Sequence, residues 1–283
     1  MKNLFLCSFA SSDLKRSAIR FEEQAINMRI YKKIKIYGYN DLSKEKKIQI
    51  DNFFKVKQKR LYGYACWKAF VIKKLLDQIP EDSILQYSDI GCHLNSKGIN
   101  RLEEYTRLCD KNGILTFQYK KPNFINFNNL KFQEYYEYQY TKADAWKYLK
   151  INDSSEILKT KQIWSGTIFF KNNKFAREIL DKWSSLLNIN KLIDDSASMS
   201  KNHKDFIEHR HDQSLFSLIC KKRNVFSLSA SECEWAEVNN RRTWDHAINF
   251  PIHAKRDKRY NFLKRFFNRQ KKNLNRVFKN EKN

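Results

Sequence analysis

Proline and glycine are scarce in this sequence, with three prolines and six glycines among 283 residues. Flexible linkers depend on such residues, so the scarcity argues against several domains joined by long linkers. No apolar run approaches the ~20 residues that a transmembrane helix needs. Hydrophobic residues make up 41% of the chain and aromatic residues 14%, which excludes the disordered class and predicts a sizeable core.

Metal-binding cysteine spacing is also absent, because none of the six cysteines forms C-x-x-C or another zinc pattern. An even number leaves a disulfide set open, but the apolar sequence around each cysteine favours free thiols in the core. The segment Met1–Ala10 resembles a signal peptide, yet its apolar stretch is short and interrupted by Ser8. We interpret it as the first buried strand and expect a cytoplasmic protein. The cysteines are Cys7, Cys66, Cys92, Cys109, Cys220 and Cys233.

Acidic residues are outnumbered, with 31 Asp and Glu against 55 Lys and Arg, for a net charge of +24. Solubility alone explains such an excess, and so does a membrane face, an anionic glycan, nucleotide phosphates or nucleic acid. A basic nucleic-acid-binding protein is therefore one alternative function. The sequence contains no recognisable RNA- or DNA-binding module, which argues against nucleic acid as the partner.

The basic excess is greatest in the last 29 residues, where residues 255–283 contain twelve Lys and Arg and two acids. Apolar residues recur there at helical spacing. We predict a basic amphipathic tail over residues 256–283 that lies on an anionic membrane surface, next to a catalytic domain over residues 1–255. Packing against the domain, or a disordered basic end, are the alternatives. The apolar positions are Tyr260, Leu263, Phe266, Phe267, Leu274, Val277 and Phe278.

Strand and helix patterns alternate along the chain, which indicates parallel β-α-β units and an α/β fold. Residues 4–9 and 35–39 read as strands on either side of an amphipathic helix over residues 14–27. Residues 173–187 predict a second helix with one apolar face. Residues 121–150, rich in Tyr, Lys and Asn, are less regular and read as a helical or looped insertion.

The stretch I-L-Q-Y-S-D-I-G-C-H, residues 84–93, is the most informative of the chain. A short apolar strand ends at the carboxylate of Asp89, and Gly91 follows two residues later. A strand end holds an acid rigidly at the rim of a sheet, and a glycine lets backbone pass close to a ligand. Such an aspartate suits a hard divalent cation that also binds phosphate oxygens. By itself, however, D-x-G most often marks a plain turn.

Three further blocks accompany Asp89 in a specific order: G-Y-A-C-W-K at residues 63–68, W-S-G-T-I-F-F at residues 164–170 and H-R-H-D-Q-S at residues 209–214. Together with Y-S-D-I-G they resemble the bacterial GT-A glycosyltransferases of lipopolysaccharide and capsule biosynthesis. The resemblance spans residues 1–255. It departs at Ala69, where proline is usual, and at Gly91, where many GT-A enzymes have the second aspartate of D-x-D.

This resemblance implies a single GT-A-like domain with a mainly parallel, Rossmann-like central sheet flanked by helices. It implies transfer of a sugar from a nucleotide-diphosphate donor, UDP-linked, to a cell-surface glycan or lipid-linked acceptor. The enzyme would lie peripherally on the inner face of the cytoplasmic membrane. A Mn²⁺ or Mg²⁺ ion would bridge the phosphates and stabilise the charge of the leaving group.

The resemblance also implies roles for individual residues. Asp89 would bind the metal, with a late histidine as second ligand, and His253 is the candidate. His93 is its rival and His246 a third choice, while an ordinary surface histidine is the alternative for His253.

The H-R-H-D-Q-S block would place His211, Asp212 and Gln213 at the reacting sugars. Asp212 either caps the following helix or acts as the general base of an inverting transfer. A metal-dependent hydrolase or nuclease would use the same acids on water, but such sites usually cluster several carboxylates.

The remaining predicted residues would contact the sugar donor. Lys68, at the positive end of a helix, would approach the diphosphate, and the adjacent Trp67 reads equally well as core. Ser88 and Gly91 flank Asp89. Gly166 would let the sugar approach the backbone, or would mark a strand bulge.

Overall fold

The computed structural model describes residues 3–58, 60–122 and 129–256, so the predicted tail lies outside the described residues apart from Arg256. Its strands are β1 Leu4–Phe9, β2 Tyr31–Tyr37, β3 Ile84–Ser88, β4 His93–Leu94, β5 Ile114–Gln118, β6 Ile163–Lys171, β7 Ser227–Ser229, β8 Ala236–Val238, β9 Arg241–Thr243 and β10 Ile252–His253.

Six strands form the central sheet in the order β2-β1-β3-β6-β5-β7. β1 pairs in parallel with both β2 and β3, and β5 pairs in parallel with β7. β6 runs antiparallel between β3 and β5, so five strands point one way and β6 points the other. β3 is buried along its whole length, as expected for a strand covered on both faces. Two small antiparallel pairs, β4 with β10 and β8 with β9, lie outside this sheet.

Helices cover both faces of the sheet. They are α1 Lys15–Met28, α2 Lys44–Lys55, α3 Leu61–Tyr64, α4 Lys68–Leu76, α5 Ile99–Asn112, α6 Glu137–Tyr140, α7 Ala143–Tyr148, α8 Lys174–Leu187, α9 Asn190–Ile193 and α10 His211–Lys222. The short α3 is unusual because the five consecutive residues Leu61 to Ala65 all have positive φ. Left-handed backbone costs about 1–2 kcal/mol per non-glycine residue, so surrounding packing must hold this turn in place.

Alternating side chains of the strands supply two apolar cores. On one face α4, α8 and α10 pack against β1 and β6, burying residues such as Trp183 and Phe216. On the other face α1 and α5 enclose a second core that includes Phe21, Leu102 and Phe169. Both faces are thus removed from water, and apolar burial of this extent is the dominant stabilising contribution in a domain of this size.

The α/β prediction is confirmed: the described residues form one domain around a mainly parallel sheet. All six cysteines are buried and free, as expected. No helix within the described ranges is long and apolar enough to cross a membrane. The insertion between residues 129 and 150 contains α6 and α7, and the predicted helix over residues 173–187 is α8.

Candidate active site

A cleft of about 480 Å³ opens at the edge of the sheet where β1 and β3 end and β6 begins. In open α/β sheets, ligands bind in the crevice beyond the carboxyl ends of the parallel strands. The first residues of α4 and α10 also line this cleft, so two helix N-termini, each with a partial positive charge, face it. Blocks that are far apart in sequence therefore meet at one place.

Asp89 lies on the cleft wall directly after β3. One oxygen, Oδ1, accepts a hydrogen bond from the Tyr87 hydroxyl at 2.7 Å and lies 3.2 Å from the Lys68 ammonium. The Asp89 backbone N–H donates to the carbonyl of Gly166 at 2.8 Å, which ties the end of β3 to β6. The side chain is 43% exposed, and Oδ2 has no partner among the described residues. The carboxylate therefore presents one fixed, available oxygen to the cleft.

Lys68 is buried beneath Asp89 and pairs with two carboxylates. Its Nζ lies 2.7 Å from Oδ2 of Asp212 and 3.2 Å from Oδ1 of Asp89, with both oxygens of Ser165 at 3.4 Å. Burial acts to lower the pKa of Lys68, but attraction to the two carboxylates outweighs it, and the net pKa is raised. The three N–H groups of the ammonium thus have three partner residues, Asp89, Asp212 and Ser165, and Lys68 fixes the positions of the two carboxylates.

Asp212 does not cap α10, which corrects that part of the prediction. It lies inside the first turn, where Arg210 is the N-cap, and no side chain caps the helix. Its Oδ2 instead accepts from the hydroxyl of Ser165 at 2.8 Å and from Lys68, and the residue is only 3% exposed. Two carboxylates thus share one ammonium, which leaves the group with a net charge of −1.

Gln213 and His211 also line the cleft. Gln213 Nε2 donates to Oε1 of Gln162 at 2.7 Å. His211 is buried against the ring of Tyr64, and its Nδ1 lies 2.6 Å from the carbonyl oxygen of Ile193. Burial lowers the pKa of His211, so the neutral ring donates from Nδ1 and its Nε2 is left as an acceptor, 3.7 Å from the carboxylate of Asp195.

None of the three histidines considered as metal ligands is among the residues that line the cleft, although His93 and His253 adjoin Cys92 and Ala254, which do line it. His253 and His93 face each other across the β4–β10 pair. His253 Nε2 contacts the carbonyl oxygen of Ala247 at 2.7 Å, and His93 Nδ1 accepts from Gln24 at 3.3 Å. His246 Nε2 lies within 3.1 Å of two backbone carbonyls. Within the described part of the chain, no group of three or more His, Cys, Asp or Glu could hold a metal ion.

The predicted sugar-donor residues have different surroundings. Trp67 lines the cleft and also stacks on Phe9, with ring centroids 3.9 Å apart. Gly91 lines the cleft beside Asp89. Gly166 lies under the indole of Trp164, where a Cβ atom would be 2.3 Å from the ring. Ser88 is buried in the sheet, with its hydroxyl bonded to Thr167 and Gln86.

Several residues that line the cleft, or that contact the side chains lining it, were not predicted. Tyr87 and Arg210 lie within the recognised blocks, so those blocks carried a signal for them. Arg210 stacks its guanidinium on Tyr135, 3.5 Å from the ring centroid. Arg60 pairs with Glu208 at 3.0 Å, and Arg256 pairs with a buried glutamate. Ser165 also lies within a recognised block, residues 164–170, whereas Gln162 has no local sequence signal, because its role depends on contacts with α10.

Neither a protein-family model nor a curated protein sequence matches this chain. Among solved structures, it is similar to a glycosyltransferase that glycosylates the major capsid of PBCV-1 (12% identity, 89% of this chain and 93% of that one, TM-score 0.45). It is also similar to mouse xyloside xylosyltransferase 1, with 10% identity over 82% of this chain and 87% of that one and a TM-score of 0.41. A third similar structure is the galactosyltransferase LgtC, with 11% identity over 81% of this chain and 74% of that one and a TM-score of 0.40. With TM-scores below 0.5, these likenesses assign neither a family nor an activity.

Proposed function

We propose that this protein is a glycosyltransferase that moves a sugar from a nucleotide-diphosphate donor, UDP-linked, to a cell-surface glycan or lipid-linked acceptor. The observation that carries the proposal is the Asp89 carboxylate, which is fixed through Oδ1 and offers Oδ2 to a cleft faced by two helix N-termini. A diphosphate complements the partial positive charge of those N-termini. A metal ion bound to the diphosphate complements the net negative charge of Asp89, Lys68 and Asp212.

The available ligands fit a divalent ion that arrives with the phosphates, not one that the protein holds alone. Mg²⁺ in phosphate-transfer sites is commonly bound by one or two carboxylates together with substrate phosphates and water. Asp89 would supply that single carboxylate. Mn²⁺ or Mg²⁺ bound there would stabilise negative charge on the leaving nucleoside diphosphate. His253 and His93 stay candidates for a further ligand.

Three aromatic side chains line the cleft and suit a nucleobase. Phe9 and Trp67 are stacked, and Tyr62 from the left-handed turn lies 5.8 Å from Phe9 between ring centroids. Planar aromatic surfaces bind bases by stacking. We assign the base to these rings and the sugar to His211 and Gln213. The buried contacts of Asp212 favour a role in holding Lys68 and Asp89 over a general-base role.

Thermal unfolding with nucleotides tests the proposal. We expect UDP with Mn²⁺ or Mg²⁺ to raise the Tm more than UDP alone, and metal alone to raise it little. Asp89→Asn should remove the metal-dependent part, whereas Asp181→Asn, an exposed control outside the cleft, should keep it. Full response of Asp89→Asn, or no response to any nucleoside diphosphate, would overturn the proposal.

Turnover supplies the second test, by following nucleoside diphosphate released from a panel of nucleotide sugars. Release that rises with added glycan or lipid-linked acceptor supports transfer, and release that stays the same with and without acceptor supports a hydrolase.

We further propose that the enzyme is cytoplasmic and that residues 256–283 bind it to the inner face of the membrane through their basic and apolar residues.

A further inference from the structure

Gln162 is fully buried just before β6, and its amide nitrogen is surrounded by acceptors from α6, α10 and the residue after α6. Nε2 lies 2.9 Å from Thr141 Oγ1, 3.0 Å from the carbonyl oxygen of Tyr140, 3.2 Å from Ser214 Oγ and 3.3 Å from Glu137 Oε2. Four oxygens thus converge on one side of this side chain.

None of these four oxygens can offer Gln162 a proton. The Thr141 hydroxyl donates to Glu137 at 2.7 Å, and the Ser214 hydroxyl donates to the Tyr140 carbonyl at 2.6 Å. Glu137 itself lies 2.8 Å from the Lys221 ammonium, so its carboxylate acts as an acceptor. If the Gln162 amide were reversed, its oxygen would be buried among acceptors with no donor, which is costly. The network therefore fixes the orientation of this amide.

The fixed orientation of the Gln162 amide also determines the orientation of the Gln213 amide. Gln162 Oε1 points towards α10, where Gln213 Nε2 donates to it at 2.7 Å. Only a donor can face that oxygen, so Gln213 must turn its nitrogen inward. Its own oxygen, Oε1, has no protein partner among the described residues, and Gln213 lines the cleft.

We propose that Gln162 is a positioning residue that makes Gln213 present a carbonyl oxygen, and not an amide N–H, to the substrate. This inference rests on the proposed function. Gln213 Oε1 then accepts a hydrogen bond from a hydroxyl group of the bound sugar. An amide oxygen held in one orientation before substrate arrives needs no reorganisation during the reaction.

A double-substitution cycle measured by thermal unfolding tests the orientation without any activity assay. Gln213→Glu places a charged oxygen opposite Gln162 Oε1, so at pH 8 the Tm should fall by roughly 3–10 °C. In a Gln162→Met background the opposing oxygen is gone, and the same substitution should lower the Tm by less than half as much. Equal effects in both backgrounds, or an unchanged Tm for Gln213→Glu, would overturn the inferred orientation.

The kinetic arm tests the role of the oxygen. Gln162→Met alone should lower kcat by about tenfold with little change in the KM of the sugar donor, because Gln213 is no longer held. Gln213→Glu should lower kcat by more than Gln162→Met does, and adding Gln162→Met to Gln213→Glu should recover part of the lost kcat. If both residues were merely structural, the two losses in kcat would add, and that result would overturn the positioning role of Gln162.

Gln118→Met is the control, because the Gln118 amide also donates to a backbone carbonyl, that of Lys161 at 2.9 Å, but is only half-buried and lies outside the cleft. Its kcat should be unchanged. The two substitutions could prove coupled in their effect on Tm while the unmodified protein turns over no nucleotide sugar. That result would overturn the proposed function and the role of the Gln213 oxygen, but it would support the inferred amide orientation.

Discussion

Replacing Lys68 by methionine tests the buried charge group directly, because methionine keeps an unbranched apolar stem and removes the ammonium. Asp212, only 3% exposed, then loses its partner at 2.7 Å. Leaving one buried charge unpaired costs about 3–5 kcal/mol. The N-terminal turn of α10 offsets up to about 1 kcal/mol of this, and the pair with the half-exposed Asp89 adds at most about 1 kcal/mol. Because these two smaller contributions roughly cancel, we expect a loss of about 3–5 kcal/mol at pH 7–8.

The loss should depend on pH in a defined direction. In the intact protein the pKa of Lys68 is raised, so its contribution is complete below pH 10.5 and is lost only as pH rises through the folded-state pKa. Lys68→Met removes this contribution, so the stability difference between the two proteins should stay constant below pH 10.5 and shrink as pH rises through the folded-state pKa of Lys68.

Urea unfolding at several pH values measures both effects. The double variant Lys68→Met/Asp212→Leu should recover most of the stability, because replacing a buried ion pair by apolar side chains is often neutral. Lys73→Met, an exposed lysine of the same helix, should change stability by no more than about 0.5 kcal/mol. A loss below about 1 kcal/mol for Lys68→Met, or a double variant no more stable than the single one, would refute the reasoning.

Three further predictions follow from single features of the chain. Gly166→Ala must displace the Trp164 indole, so its Tm should fall by an amount equivalent to about 1–3 kcal/mol, and unchanged stability would contradict the close approach. Arg29→Gly should stabilise the protein by roughly 0.5 kcal/mol in urea unfolding, because Arg29 ends α1 with φ 52° at an exposed position. Deleting residues 258–283 should release the protein from anionic vesicles in a flotation assay without lowering turnover of a soluble acceptor. Equal vesicle binding by the truncated protein would exclude the tail as the anchor.

Local features of the fold could be predicted from the sequence. The apolar run at residues 4–9 predicts β1 with both ends correct, and residues 173–187 predict α8 to within one residue. The reason is that the signals are local: Asn173 caps α8 by accepting from the N–H of Ala176 at 2.9 Å. The strand β5 and the helix α5 before it received no prediction, although Leu102, Tyr105 and Cys109 have helical spacing there.

The candidate site could be predicted only at the level of blocks. The recognised blocks identified Asp89, Gln213 and Lys68, and all three line one cleft. Which group each side chain contacts depends on long-range packing, which one sequence does not reveal. For Asp212 the sequence offered a helix cap or a general base, and neither interpretation includes its partner Lys68 on another helix. Gln162 carries no local signal, because its role depends on acceptors contributed by α6 and α10.

The composition of α10 shows why local rules fail near this cleft. Its first ten residues are all buried, including Asp212, Gln213, Ser214 and Ser217, so the helix lacks the polar outer face of an ordinary surface helix. Burial of polar groups is tolerated only when each group has a partner. Lys68, Gln162 and the residues of α6 supply those partners. Because the same contacts satisfy the helix and orient the groups that face the cleft, stability and the geometry of the cleft depend on one network, and the conflict between local pattern and burial occurs at this candidate site.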